Sequence, residues 1–340
     1  MTPEGADPLA PALAAAADVL RDAGTVVVTG HINPDGDALG SLFAVTAALR
    51  HLGIKALSAW GSRHPTEPPV GLEESLADIL PCSEDVRLPD ELPGAPDVLI
   101  ACDTGAVGRL GTLQPLVEAA GTVIVLDHHA VGEPFGDIRI IDPEASCTGV
   151  LALRLIDVLG VPLTASMAAA LYLGLLTDTG RFGFASTGPA DHRVAARLLE
   201  AGADHVAVAR AVYESASPGF LGLIARVTAR AVSGPDVIAS WVTTADLQAT
   251  GAGEHETDGL IDLLRKVQGT DVTCLLRETS QGTWRTSLRS RGACDVAVIA
   301  ADLGGGGHRM AAGFTGTGSA EALIADISDR VRACTDGGGR

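Results

Sequence analysis

The stretch from Thr25 to Ser41, T-V-V-V-T-G-H-I-N-P-D-G-D-A-L-G-S, constrains this chain more than any other. Val26 to Val28 are β-branched and predict a buried strand, which Gly30 ends. His31, Asp35 and Asp37 then crowd onto a loop with Asn33, Pro34 and Gly36. Beyond Asp37, apolar residues at Leu39, Leu42, Phe43, Ala47 and Leu49 recur at three- and four-residue spacing and predict a helix. One imidazole and two carboxylates on a strand-to-helix loop can form a hard-metal site, because oxygen ligands and neutral imidazole suit Mn²⁺ or Mg²⁺. Taken alone, Asp35-Gly36-Asp37 reads more simply as turn chemistry with a helix cap. The rest of the chain reverses that reading.

At 340 residues the chain is long enough for two cores. Its hydrophobic content is 46% with only 3% aromatic, so small and β-branched side chains do the packing, as in a helix-covered parallel sheet. A formal net charge of −18 argues against long duplex nucleic acid, which needs a broad basic face. Small phosphorylated substrates stay open, because bound divalent cations would invert the local sign of a carboxylate-rich cleft. The six cysteines show no C-x-x-C spacing, and no basic region precedes an apolar run at the N-terminus, so reduced thiols and a cytoplasmic location are expected. The uncharged run between Asp157 and Asp178 is broken by Gly160 and Pro162, and no membrane segment is expected.

Along the chain, an Ala-rich helix is expected up to about Ala23. Strands follow over residues 55–60, 97–102 and 122–126, with helical material over 107–120. Helices are expected over 150–159, 165–176 and 189–201. Strands alternating with helices predict an α/β protein with a mostly parallel sheet in a first domain, residues 1–205. A helical linker over 206–217 leads to a smaller α/β domain over 218–334, with a Gly-rich frayed tail at 335–340. That second domain reads as a helix over 220–231, a strand over 237–242, a helix over 258–267 and strands over 273–277 and 283–290. A glycine loop, Gly304 to Gly307 with His308, then precedes A-A-G-F and a final helix over 320–332.

The placement of the acids is the strongest argument. His31, Asp35 and Asp37 follow one strand, Asp103 follows a second, and Asp127-His128-His129 follow a third. In open α/β sheets such groups converge at the carboxyl ends of the strands. Asp178, at the end of an apolar helix, would be costly to bury without a partner, and a metal is such a partner. Six side chains, four of them carboxylates, are too many for one Zn²⁺. They suit two divalent ions that activate a shared water for in-line attack on phosphorus.

His31-x-x-x-Asp35-x-Asp37, Asp103, Asp127-His128-His129 and Asp178, in that order, resemble the four-motif signature of the DHH phosphoesterase superfamily. The Ser287-Leu288-Arg289-Ser290 segment and the Gly304-to-His308 loop resemble the DHHA1 substrate-binding domain. The layout is similar to the bifunctional oligoribonuclease and phosphoadenosine-phosphate phosphatase group, which includes actinobacterial members acting on cyclic di-AMP and on pApA. The resemblance implies that His31, Asp35 and Asp103 bind one Mn²⁺, and that Asp37, Asp103, His128 and Asp178 bind the other, with Mg²⁺ or Co²⁺ as substitutes. It implies that His129 contacts the scissile phosphate or protonates the leaving oxygen, with Asp127 orienting the loop or an imidazole. It also implies a homodimer.

In the second domain, Arg289 can grip a phosphate bidentately. Consecutive glycines, Gly305, Gly306 and Gly307, let backbone amides approach an anion in a nest-like loop. Ser290 and His308 complete the expected substrate-binding set. The expected function is hydrolysis of very short RNA, dinucleotides such as pApA, cyclic di-AMP or 3′-phosphoadenosine 5′-phosphate. A manganese-dependent inorganic pyrophosphatase shares the first-domain signature, but the glycine–histidine loop speaks against it. A non-catalytic nucleotide sensor is the other alternative, and all six ligand positions being filled speaks against that.

Overall fold

The computed structural model describes residues 7–129, 133–184 and 186–337. The chain divides into two compact units, Met1–Ser215 and Ala216–Arg340.

The first unit runs α1 (Ala10–Asp22), β1 (Thr25–Thr29), α2 (Gly36–His51), β2 (Lys55–Ala59), α3 (Glu74–Ala77), β3 (Val98–Cys102), α4 (Leu116–Ala119), β4 (Thr122–Asp127), β5 (Ile138–Ile141), α5 (Thr148–Leu159), α6 (Ala165–Asp178), α7 (Pro189–Glu200) and α8 (His205–Tyr213). Its five strands are all parallel, in the order β2-β1-β3-β4-β5. Alternate residues face opposite layers. Val26, Val28, Ile100 and Ile124 pack under α1, α2, α5 and α6. Val27, Leu99 and Val125 pack against Leu110 and Leu113 on the other face. Val28 pairs with Ile100, and Ile100 with Ile124, so the carboxyl ends of β1, β3 and β4 lie level. Between β1 and β3 the strand order reverses, which is where open α/β sheets form their crevice.

Helix α2 lies directly against α6 in the buried layer. A Cβ on Gly40 would fall 2.3 Å from the Ala170 carbonyl oxygen, and one on Gly174 would fall 2.5 Å from Asp37 Oδ1. Glycine at both positions lets the helices approach closely enough to bring the start of α2 beside the end of α6.

Several expected boundaries shift for physical reasons. Residues 107–120 form a 3₁₀ segment, Val107–Leu113, broken at Gly111 (φ 58°), before the short α4. β5, absent from the sequence reading, is a four-residue edge strand whose pairing with β4 is non-local. Most of the expected linker over 206–217 is α8, which buries Val208 in the first core.

The second unit runs α9 (Pro218–Ala229), β6 (Val232–Ser233), β7 (Val237–Val242), α10 (Thr244–Thr250), α11 (Leu260–Leu264), β8 (Val272–Glu278), β9 (Trp284–Ser290), α12 (Val296–Asp302), β10 (Gly306–His308), β11 (Ala311–Gly316) and α13 (Ala320–Gly337). The sheet order is β10-β11-β9-β8-β7-β6, with only β7 and β8 parallel. Cys274, Leu276, Leu288 and Phe314 pack with α12 and α13 on one face. Ile238, Val242 and Leu275 pack with α9 and α11 on the other. The helix expected over 258–267 contracts to α11. Residues 335–337 of the expected frayed tail belong to α13, which continues through Gly337; residues 338–340 of that tail lie outside the described residues. No helix among the described residues is long and apolar enough to cross a membrane.

Substituting Gly40 with alanine forces α2 and α6 apart. Gly40→Ala should lower unfolding stability by about 1–3 kcal/mol, the cost of overpacking a well-filled interior. Denaturant titration reads this, and an unchanged midpoint would contradict the close helix contact.

Candidate metal centre

All six side chains predicted as ligands meet at the carboxyl edge of the first sheet. His31 and Asp35 follow β1, Asp37 opens α2, Asp103 follows β3, His128 follows β4, and Asp178 ends α6. Ligand atoms of His31, Asp35 and Asp103 lie within 4.8 Å of one another, as do those of Asp37, His128 and Asp178. Asp103 lies between these sets. Its Oδ2 is 3.4 Å from His31 Nε2, and its Oδ1 is 3.6 Å from His128 Nε2.

Asp35 does both things that its loop position allows. Its Oδ1 accepts from the Asp37 and Ala38 amides as the cap of α2, while its Oδ2 faces His31 Nε2 at 3.7 Å. His31 Nδ1–H donates to the Ile32 carbonyl at 2.8 Å, and His128 Nδ1–H donates to the Ala145 carbonyl at 3.2 Å. A carbonyl can only accept, so Nε2 of each ring is turned toward the carboxylates. His31 Nε2 is buried and makes no hydrogen bond among the described residues. A buried nitrogen aimed at two carboxylates, with oxygen and imidazole donors and no thiolate among them, fits a hard divalent cation. The neighbouring thiols of Cys102 and Cys147 are fully buried, and burial pushes both well above the usual range.

Asp37 is fully buried at the N-terminus of α5, where its carboxylate accepts from the Thr148 and Gly149 amides at 2.6 and 2.9 Å. Burial, and then the charges of Asp178 and Asp103, still raise it well above the carboxylate range. Burial also raises Asp178, to about 6, against the hydrogen bond from His128. Asp103 is the exception. Burial would raise it, but the His31 imidazole facing it at 3.4 Å and the charges of His129, His31 and His128 hold it at about 2. Burial disfavours charge on the imidazoles, yet the carboxylates prevail: His31 rises to about 10 and His128 to about 9. Asp103 also holds a left-handed backbone, φ 55°, a local strain of the kind found where function fixes a side chain.

His129 Nδ1–H donates to Asp127 Oδ1 at 2.7 Å and lies 3.6 Å from Asp103 Oδ1. Asp127 is buried, with Oδ2 unbonded among the described residues. Arg181, after Asp178, stacks on the Tyr213 ring at 3.5 Å.

Thr148 was not anticipated. Its hydroxyl donates to Asp103 Oδ1 at 3.0 Å while its amide holds Asp37, so one residue ties both carboxylates. The only sequence signal was a small polar pair, Thr148-Gly149, opening an apolar helix.

In the second unit, Arg289 is half-buried, and the one hydrogen bond of its side chain among the described residues is to the Leu288 carbonyl at 3.1 Å. Burial lowers its guanidinium pKa. Two expectations change. Ser290 is fully buried, and its hydroxyl donates to Asp271 Oδ2 and accepts from the Gly292 amide, so it braces the turn from inside. The glycine run is not a nest-like loop: Gly306 to His308 pair with β11 as an edge strand. A Cβ on Gly305 would fall 2.1 Å from the Gly313 carbonyl oxygen, and one on Gly307 (φ 144°) 2.5 Å from Ala312 Cα. Close strand packing therefore requires glycine at both positions. The side chain of His308 lies outside the described residues.

The raised imidazoles make metal loading a proton-releasing event. In the metal-free protein at pH 7.5, His31 and His128 are charged, and burial makes Asp37 hold a proton more tightly than an ordinary carboxylate. Mn²⁺ binding should release about two protons per chain, one from each imidazole, and weaken as pH falls, because ligands must shed protons to coordinate. Calorimetry in buffers of different ionisation enthalpy measures this, and no net release would contradict the assigned ligand states.

Residues 25–175 match the DHH family, N-terminal domain, and residues 234–335 match the DHHA1 domain. The chain is 35% identical over 302 residues to the bifunctional oligoribonuclease and PAP phosphatase NrnA of Thermus thermophilus, covering 88% of this chain and 86% of that protein. In fold it is similar to an exopolyphosphatase-related protein from Bacteroides fragilis, with a TM-score of 0.86 at 24% identity over 97% of this chain and 98% of that one. It is also similar in fold to RecJ of Thermus thermophilus in complex with Mn²⁺, with a TM-score of 0.54 at 17% identity over 98% of this chain and 56% of that one. The chain belongs to the DHH family of phosphoesterases, with a C-terminal DHHA1 domain, and is an NrnA-like hydrolase.

Proposed function

We propose that the protein is a Mn²⁺-dependent phosphoesterase that cleaves short oligoribonucleotides, linear dinucleotides such as pApA, cyclic di-AMP, and 3′-phosphoadenosine 5′-phosphate to mononucleotides. The observation that carries this reading is Asp103, whose two oxygens face two different ligand sets. His31 and Asp35 would hold one ion and Asp37, His128 and Asp178 the other, with Asp103 placed to serve both sets. Two divalent ions there supply Lewis acidity for attack of water on phosphorus and charge to offset the phosphoryl oxygens. His129, oriented by Asp127, contacts the scissile phosphate or protonates the leaving oxygen. Arg289 and His308 take the terminal phosphate, together with the exposed backbone of Gly305, Gly306 and Gly307. Ser290 shapes the turn beside Arg289.

The net charge of −18 supports short substrates over long strands, which need a continuous basic track. The similarity to a named oligoribonuclease and PAP phosphatase supports the same choice. The enzyme works in the cytoplasm as a homodimer, with two Mn²⁺ per chain and Mg²⁺ or Co²⁺ as substitutes.

The test is product release from pApA and from inorganic pyrophosphate with Mn²⁺, for the intact chain and for Asp103→Ala. AMP should form from pApA and vanish in the variant, while pyrophosphate stays intact. Phosphate release from pyrophosphate alone would replace the nuclease reading with a pyrophosphatase.

A further inference from the structure

The DHHA1 sheet leaves part of one face open, and that part carries arginines. Strand pairing sets Arg277 of β8 directly opposite Arg285 of β9, and Ser287 opposite both Leu275 and Gly313. These side chains, with that of Arg289, project from the same side of the sheet. Helices α9 and α11 cover this side around Leu275. Over β9 and β11, Arg285 is exposed, while Ser287, Arg289 and Gly313 are half-buried.

Two like charges directly opposite each other on a sheet are destabilising, so the Arg277–Arg285 pair needs a reason. Arg277 is mostly buried, paired with Asp258 at 2.6 Å through one terminal nitrogen. Its Nε is buried with no hydrogen bond among the described residues. The side chain of Arg285 is exposed and makes no ion pair or hydrogen bond among the described residues. Arg265 adds a fourth guanidinium near Arg289, and the acids around the group are Glu254, Asp258 and Asp262. The acidity of the whole chain does not extend here. Met1–Ser215 holds 12 Lys and Arg against 28 Asp and Glu, and Ala216–Arg340 holds 12 against 14. Ser287 and Gly313 form a low floor between Arg285 and Arg289. Four residue steps along β9 set those two arginines about 13 Å apart, too far to grip one phosphate together.

We propose that Arg277 and Arg285 form a second anion subsite, distinct from Arg289, which takes a further phosphate of oligoribonucleotides longer than a dinucleotide. This rests on the oligoribonucleotide reading above. The subsite grades substrates by length: a substrate with only a terminal and a scissile phosphate has no group for it, whereas a longer strand does. Guanidiniums suit the task because they present planar, permanently charged donors to phosphate oxygens.

The test compares pApA with a 5′-phosphorylated pentaadenylate, using the full chain loaded with Mn²⁺ over a range of KCl. Arg285→Ala should lower kcat/KM for the pentanucleotide by about ten-fold, the effect of losing one charge-assisted contact. The loss should sit in KM, and the effect on pApA should be much smaller. The salt dependence of the pentanucleotide rate should become shallower by about 0.7 in log–log slope, one phosphate contact on a single strand. Arg285→Lys should restore part of the loss, and the melting temperature of Arg285→Ala should not fall, since a like-charge pair is relieved. Equal losses on both substrates with a lowered melting temperature would make Arg285 a structural residue and overturn the subsite. Cleavage of both RNAs with no length-selective effect would overturn the subsite alone. If the unaltered enzyme cleaves neither RNA, the oligoribonucleotide reading fails and the subsite with it.

Discussion

Three carboxylates, Asp37, Asp103 and Asp178, converge where little water can separate their charges, with Asp35 at the exposed rim, and the rest of the first unit is arranged around that repulsion. Asp37 has no exposure, Asp103 almost none, and Asp178 sits close enough to both to raise Asp37. Unpaired carboxylates at such depth are unfavourable by several kcal/mol each. The fold offsets part of this with neutral donors: two amides at the start of α5 for Asp37, two at the start of α2 for Asp35, and the Thr148 hydroxyl for Asp103. Two imidazoles drawn into the charged form offset more. The remainder suits cations, and the proton inventory of the metal-free site is the counterpart of its affinity for metal.

The same constraint explains the packing. Bringing Asp37 and Asp178 together requires the start of α2 to touch the end of α6, which requires glycine at Gly40 and Gly174. The parallel register then levels β1, β3 and β4 so that loops after three strands reach one point. The geometry of the carboxylate–imidazole cluster and the core packing here are one requirement.

Much of this was legible in the residues. Apolar β-branched runs ending abruptly in His31, Asp103 and Asp127 marked both the strands and the crevice, because burial and ligation demand opposite residue types at adjacent positions. What was not legible depended on distant partners. Thr148 looks like any helix-opening threonine until Asp103 stands beside it. Ser290 looks like a phosphate contact until Asp271 claims its hydroxyl. The glycine run looks like a loop until β11 pairs with it. Arg285 looks like a solvated surface residue until strand register sets it opposite Arg277.

The central claim is that one carboxylate, Asp103, joins two metal positions. Titrating metal-free protein with Mn²⁺ and following it by electron paramagnetic resonance tests this most directly. The account predicts two ions per chain with the spectrum of an exchange-coupled pair, and loss of that coupling in Asp103→Ala. A single isolated Mn²⁺ signal at saturation in the unaltered protein would contradict it.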